Sequence, residues 1–145
     1  MITIEPLGGL ANRMRVIASG IGLSQKLSKQ LTIIWNVNYE LKCPYHLLFE
    51  NNPAIVITRK QRKFNYIHSS AQPTSAKRII AKIVNKVIGI DYCVRDAEFY
   101  NLIINNQLNI YETAKSNHQT YIQTCQEFGA NLFAYQYFEP VFLIR

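Results

Sequence analysis

Apolar positions along this chain change period several times, and each change marks an element. Residues 2–5 (ITIE) alternate like a short strand and stop at Pro6, after which Leu7, Gly8 and Gly9 form a flexible turn. From residue 12 to about 29, Met14, Val16, Ile17, Ile21, Leu23 and Leu27 recur at helical spacings of three and four. Asn12 suits the N-cap of this helix, where a side-chain oxygen accepts from a free amide of the first turn. Gly20 and Gly22 each weaken a helix by up to about 1 kcal/mol relative to Ala, so close packing against a sheet is the expected reason for them. Residues 31–36 (LTIIWN) are a nearly continuous apolar, β-branched run that fits a strand covered on both faces. Strand, turn, helix and strand in this order predict a right-handed crossover between parallel strands, with the glycine turn at the C-terminal edge of the sheet.

The pattern continues in the same style. Pro44 at a first helical position predicts a short helix over residues 43–50, and residues 54–58 (AIVIT) read as a third strand. Residues 59–74 are polar and basic and predict an exposed loop, long enough to be functional or poorly ordered. Over residues 75–88 the pairs Ile79/Ile80, Ile83/Val84 and Val87/Ile88 repeat every four positions opposite Lys77, Lys82 and Lys86, which predicts an amphipathic helix with a basic face. A strand at residues 90–94, a helix from an acidic cap over 96–105 and a strand over 119–125 follow. The chain ends in an aromatic stretch that includes Phe128, Phe133, Tyr135, Tyr137, Phe138 and Phe142. The whole reads as one α/β domain, residues 1–145, with a parallel sheet and flanking helices, and without repeats or an interdomain linker.

Composition narrows the class. With 145 residues, 48% hydrophobic and 17% charged, the chain can bury a genuine core, which excludes disorder. No apolar run is long enough to span a bilayer and no signal segment opens the chain, so the expected location is cytoplasmic, possibly peripheral to the inner face of the membrane. Cys43, Cys93 and Cys125 form neither a C-x-x-C pair nor an even disulfide framework and read as free thiols. His46, His68 and His118 match no zinc signature, and no metal is expected.

The net charge of +7 is concentrated: residues 51–90 hold eight basic residues and no Asp or Glu. Two readings of residues 59–86 stand beside each other, a solvated basic face on a helix packed by its isoleucines, or a non-catalytic module that docks on an acidic membrane surface or partner. Nucleic acid is disfavoured despite a pI of 9.4, because no recognition-helix, RRM or OB signature is present and only Phe64 and Tyr66 interleave the basic residues.

The candidate chemistry lies in GGLANRM, residues 8–14, between the first strand and the first helix. A glycine pair lets backbone amides approach a ligand, a helix N-terminus favours phosphate, and the Arg13 fork can grip phosphate or hydroxyl oxygens. The alternative is a tight turn with Asn12 as a cap. The G-x-G-x-x-G spacing is absent and no acidic residue follows Trp35 and Asn36 to bind a ribose, which disfavours NAD.

The string PLGGLANRMRVIASGIGLSQKLSKQLTIIW resembles the opening of bacterial fucosyltransferase-like proteins, the superfamily of α-1,2-, α-1,6- and protein O-fucosyltransferases, with its G-G-x-x-N-[QR] loop. YIQTCQEF resembles the segment that precedes the second domain in that family. The resemblance implies a Rossmann-like domain forming the N-terminal half of a two-Rossmann-domain (GT-B) glycosyltransferase. Its donor would be a GDP-sugar, typically GDP-fucose, its acceptor a glycan as in polysaccharide biosynthesis, and no metal would be needed. Gly8, Gly9, Asn12 and Arg13 are the substrate-binding positions it implies; it assigns no catalytic residue. The family's arginine-bearing H-x-R-R strand has no counterpart here beyond Leu143, Ile144 and Arg145. The C-terminal nucleotide-binding domain is therefore expected to be absent and the fragment inactive alone. Two further expectations follow: an exposed aromatic surface over residues 128–142, and a cost of at most about 1 kcal/mol for replacing Asn12 or Arg13 by Ala, the size of a lost cap.

Overall fold

The computed structural model describes residues 1–50, 52–60, 69–70, 75–105 and 108–128. Among these residues five strands form one parallel sheet: β1 (Ile2–Pro6), β2 (Leu31–Ile34), β3 (Ile55–Thr58), β4 (Tyr92–Val94) and β5 (Thr120–Thr124), in the spatial order β3-β2-β1-β5-β4. The expected parallel pairing of the first two strands is present, with Ile2 beside Leu31 and Ile4 beside Ile33. Sequence periodicity carried no information on the order. β5 lies between β1 and β4, so β1 is central and buried at all five positions.

Strand alternation sorts the side chains into two layers. Ile2, Ile4, Leu31, Ile33, Val94 and Ile122 share one cluster with the helices α1 (Leu10–Leu27), α4 (Asp96–Ile104) and α5 (Ile110–Ser116). The alternate positions Ile34, Cys93 and Tyr121 join Ile90 in a second, smaller cluster, with Ile88 of α3 (Ser75–Ile88) against it. A Cβ built on Gly20 of α1 would stand 2.7 Å from Ile4 Cδ1, so the helix lies on the sheet as closely as glycine allows. Left-handed Ser28 ends α1, with Ser28 and Lys29 amides bonded to the Gln25 and Ser24 carbonyls. The Lys29 ammonium then donates to the Ala114 and Asn117 carbonyls at the C-terminal end of α5, where a cation is favoured.

Three expectations change. The first helix begins at Leu10 with Gly9 at the N-cap, so Asn12 lies inside the first turn and does not cap. α5 went unread in the sequence, although Asn109 followed by Glu112 is a capping-box spacing, and the Asn109 side chain does accept from the Glu112 amide at 3.1 Å. In α3 the helix bounds are as expected, but the isoleucines face outward: Ile79, Ile80, Ile83 and Val87 are 57–84% exposed, while Ala81 and Asn85 are the buried positions. Most of the expected loop 59–74 and all but Phe128 of the aromatic stretch lie outside the described residues. Phe128 itself is buried, edge-on to Phe99 with ring centroids 5.9 Å apart, and its amide donates to Ser19 Oγ.

Candidate functional site

The glycine turn sits where β1 ends, at the C-terminal edge of the central strand. Gly8 has φ +80°, and a Cβ there would lie 2.8 Å from Asn12 Nδ2, so the turn requires glycine at this position. Gly9 has φ −72° and nothing within 4 Å of where a Cβ would point, which leaves open space on its outer side. Gly9 has no side chain with which to cap α1, and the helix's first intrahelical bond is Arg13 N to Gly9 O at 3.1 Å. The amides ahead of that bond, from Leu10 to Asn12, have no carbonyl within the helix to reach. The Gly8 amide already donates to Glu40 Oε2 at 3.2 Å, so an anion approaching this amide competes with a carboxylate.

Arg13 is placed differently from the substrate-gripping position that the resemblance implies. Its side chain is wholly buried. Nε donates to Gly8 O at 2.7 Å, Nη1 to Asn36 O at 2.5 Å and Nη2 to Asn38 Oδ1 at 2.9 Å, with the guanidinium 4.9 Å above the Trp35 ring. Trp35 in turn packs edge-on against Tyr45 and Phe49 and donates its indole N–H to Cys43 O. The fork therefore ties the turn after β1 to the segment after β2. Burial lowers the Arg13 pKa, and the nearby Glu40 and then Glu5 carboxylates oppose that fall. The cation beside the exposed part of the turn is Arg15, which donates to Asn12 Oδ1.

On the other layer of the sheet, at the same edge, β1 contributes a buried carboxylate. Glu5 is 1% exposed; its Oε1 accepts from Asn36 Nδ2 at 2.6 Å and pairs with Lys60 Nζ at 2.9 Å, and its Oε2 accepts from the Tyr121 hydroxyl. Burial, then the Glu5 charge and its hydrogen bond, push the Tyr121 phenol well above its usual range. Beside this network the ends of β2 and β3 and the start of α2 (Tyr45–Leu48) enclose a cleft of about 670 Å³, whose lining includes Asn36, His46, Arg59 and Lys60. Asn36 is shared: its carbonyl holds Arg13, its amide holds Glu5, and it lines the cleft.

The structure thus brings Gly8, Gly9 and Asn12 to one open edge and withdraws Arg13 beneath them. Sequence reasoning missed Glu5, Asn36, Glu40 and Tyr121 because their contacts exist only once the chain is folded: Asn36 and Glu40 reach β1 and its turn from the segment after β2, and Tyr121 reaches Glu5 across 116 residues. Arg59 and Lys60 carried a legible signal, the start of the acid-free basic stretch. Among the described residues no group of three or more His, Cys, Asp or Glu is placed to hold a metal, and no helix is long and apolar enough to cross a membrane. No family model, curated protein or solved structure matches this chain.

Proposed function

We propose that this chain is the N-terminal, Rossmann-like half of a GT-B glycosyltransferase that transfers fucose from GDP-fucose to a carbohydrate acceptor. The observation that carries the reading is the N-terminus of α1, with glycine at its N-cap, behind Gly8 and Gly9 at the C-terminal edge of the central parallel strand. Open α/β sheets bind ligands in the crevice at that edge. The resemblance of residues 6–35 to the fucosyltransferase opening supplies the donor and the sugar.

In this reading the turn supplies backbone amides to the sugar and pyrophosphate, and Asn12 supplies a side-chain amide. Arg13 is a positioning residue: it holds the Gly8 carbonyl and the segment after β2 and so fixes where the amides point. Departure of a diphosphate from an anomeric carbon requires positive charge on the leaving oxygens. With Arg13 committed internally, the resemblance assigns that charge to a second domain, whose arginine-bearing strand would close over this edge beside Arg15. The cleft lined by His46, Arg59 and Lys60 is the place for an acceptor on this half.

The test is an NMR titration of the chain with GDP-fucose and, separately, with GDP. Amide shifts centred on Gly8, Gly9, Leu10 and Asn12, larger with GDP-fucose than with GDP and weakened by Gly9→Val, are the expected result. Shifts confined to other parts of the sheet, or none at millimolar donor, would reject the assignment.

A further inference from the structure

Helix α3 presents its aliphatic side to solvent. Ile79, Ile83 and Val87 follow one another at intervals of four, with Ile80 alongside, and all four are more than half exposed. On the opposite side Ala81 and Asn85 are buried and Ile88 reaches the second core cluster, so the helix is fixed to the sheet by a small, partly polar strip. At 100° per residue the exposed aliphatics span about 100° of the helix circumference, with Lys82 and Lys86 along one margin and Lys77 near the other. No acidic residue lies in the first turn, which carries Lys77 and Arg78 against the helix dipole. Residues 51–90 hold no Asp or Glu at all.

Charge decides the occupant. Lysine is depleted in protein–protein interfaces, where its strongly hydrated ammonium must be stripped of water. At a lipid surface the same arrangement is favourable: the aliphatic stripe enters the acyl boundary while flanking lysines extend their stems along it and leave their ammonium groups among anionic headgroups. We infer that α3 is an interfacial helix that docks this domain on an anionic membrane surface through Ile79, Ile80, Ile83 and Val87, with Lys82 and Lys86 contacting the headgroups. The inference rests on α3 alone and stands or falls independently of the reading of the glycine turn.

The experiment is co-sedimentation of the full chain with phosphatidylcholine vesicles that do or do not contain phosphatidylglycerol, at low and high salt. The chain should bind only the anionic vesicles, and salt should release it. Each lysine near such a surface is worth about fivefold in affinity, so Lys82→Glu combined with Lys86→Glu should weaken binding by about twentyfold or more. Ile83→Asp should weaken it by about tenfold or more through the lost aliphatic contact. Both changes fall on exposed positions, and an unchanged thermal melt would show that the fold is retained. No sedimentation of the unaltered chain with anionic vesicles, or equal sedimentation of both variants, would overturn the inference. Lipid-free self-association, seen by sedimentation velocity and abolished by Ile83→Asp, would overturn it too, in favour of a second copy as the occupant.

Discussion

Replacing Arg13 by Ala distinguishes a positioning role from a capping or ligand-gripping one. The buried guanidinium makes three hydrogen bonds, to Gly8 O, Asn36 O and Asn38 Oδ1, and lies over the Trp35 ring. Hydrogen bonds to a charged group contribute about 1.5–3 kcal/mol each, and an acceptor left dry costs a comparable amount. Removing the side chain also relieves the cost of burying a cation, and water can enter from the half-exposed turn, so the low end of the range applies. The expected loss is about 3–5 kcal/mol, several times the approximately 1 kcal/mol of a lost helix cap. With a urea slope of about 1–3 kcal/mol per molar, that corresponds to a fall of roughly 2 M in the unfolding midpoint. Arg13→Lys keeps the charge but can reach only some of the acceptors and loses the planar contact with Trp35, so it should fall between the two. Asn12→Ala serves as the internal reference, since Asn12 caps nothing. If Arg13→Ala cost no more than Asn12→Ala, the buried fork would not be holding the two segments together.

The neighbouring glycines should separate under the same assay. Gly8→Ala should cost about 1–2 kcal/mol for its left-handed backbone and its approach to Asn12, and Gly9→Ala less, about 0.5–1 kcal/mol for the change at the N-cap; a larger cost at Gly9 than at Gly8 would contradict the turn geometry. Burial pushes the Cys93 thiol up to about 12, with Arg95 opposing and Glu98 and Glu5 adding. A raised acid pKa favours the neutral folded form, so stability from Cys93 is complete below its unfolded value of about 8.5 and should decline by roughly 1 kcal/mol per pH unit as pH climbs from there toward the folded value. A urea midpoint independent of pH between about 8.5 and 10.5 would count against that burial, and so would rapid alkylation of Cys93 in the native chain. Glu40→Gln removes the carboxylate from the Gly8 amide, and GDP should then bind more tightly if the turn receives a diphosphate; unchanged or weaker binding, read by calorimetry, would argue against that use of the turn.

Element types were readable wherever one residue period persisted over several positions. The strand at Ile2–Pro6, the helix that reaches Leu27 and the strand at Thr120–Thr124 all carry a pattern set by burial on one or both faces, and burial is what hydrophobic spacing records. The position of the turn at a sheet edge followed from the same reasoning. What the pattern did not carry was direction within a layer. In α3 the spacing of the isoleucines is the same whether they point inward or outward, and only the sheet's second face, served by Ile34, Ile90, Cys93 and Tyr121, decides that a smaller strip suffices. Arg13 is hidden for a related reason: a charged residue in a glycine turn reads as exposed until the segment after β2 is known to fold over it.

The place of β5 between β1 and β4 has a consequence for how the chain is made. Ile2 stands beside Leu31 on one side and beside Thr120 on the other. While the chain is being synthesised, β1, α1, β2 and β3 can assemble early, yet the second edge of β1 keeps its row of unpaired amides and carbonyls until residues 120–124 have appeared. Such long-range closure is intrinsically slow, and an open strand edge is a template for the same segment of a neighbouring nascent chain. The middle of the sheet is completed by its most distant strand, so the interval before β5 arrives is when this domain is most exposed to mispairing.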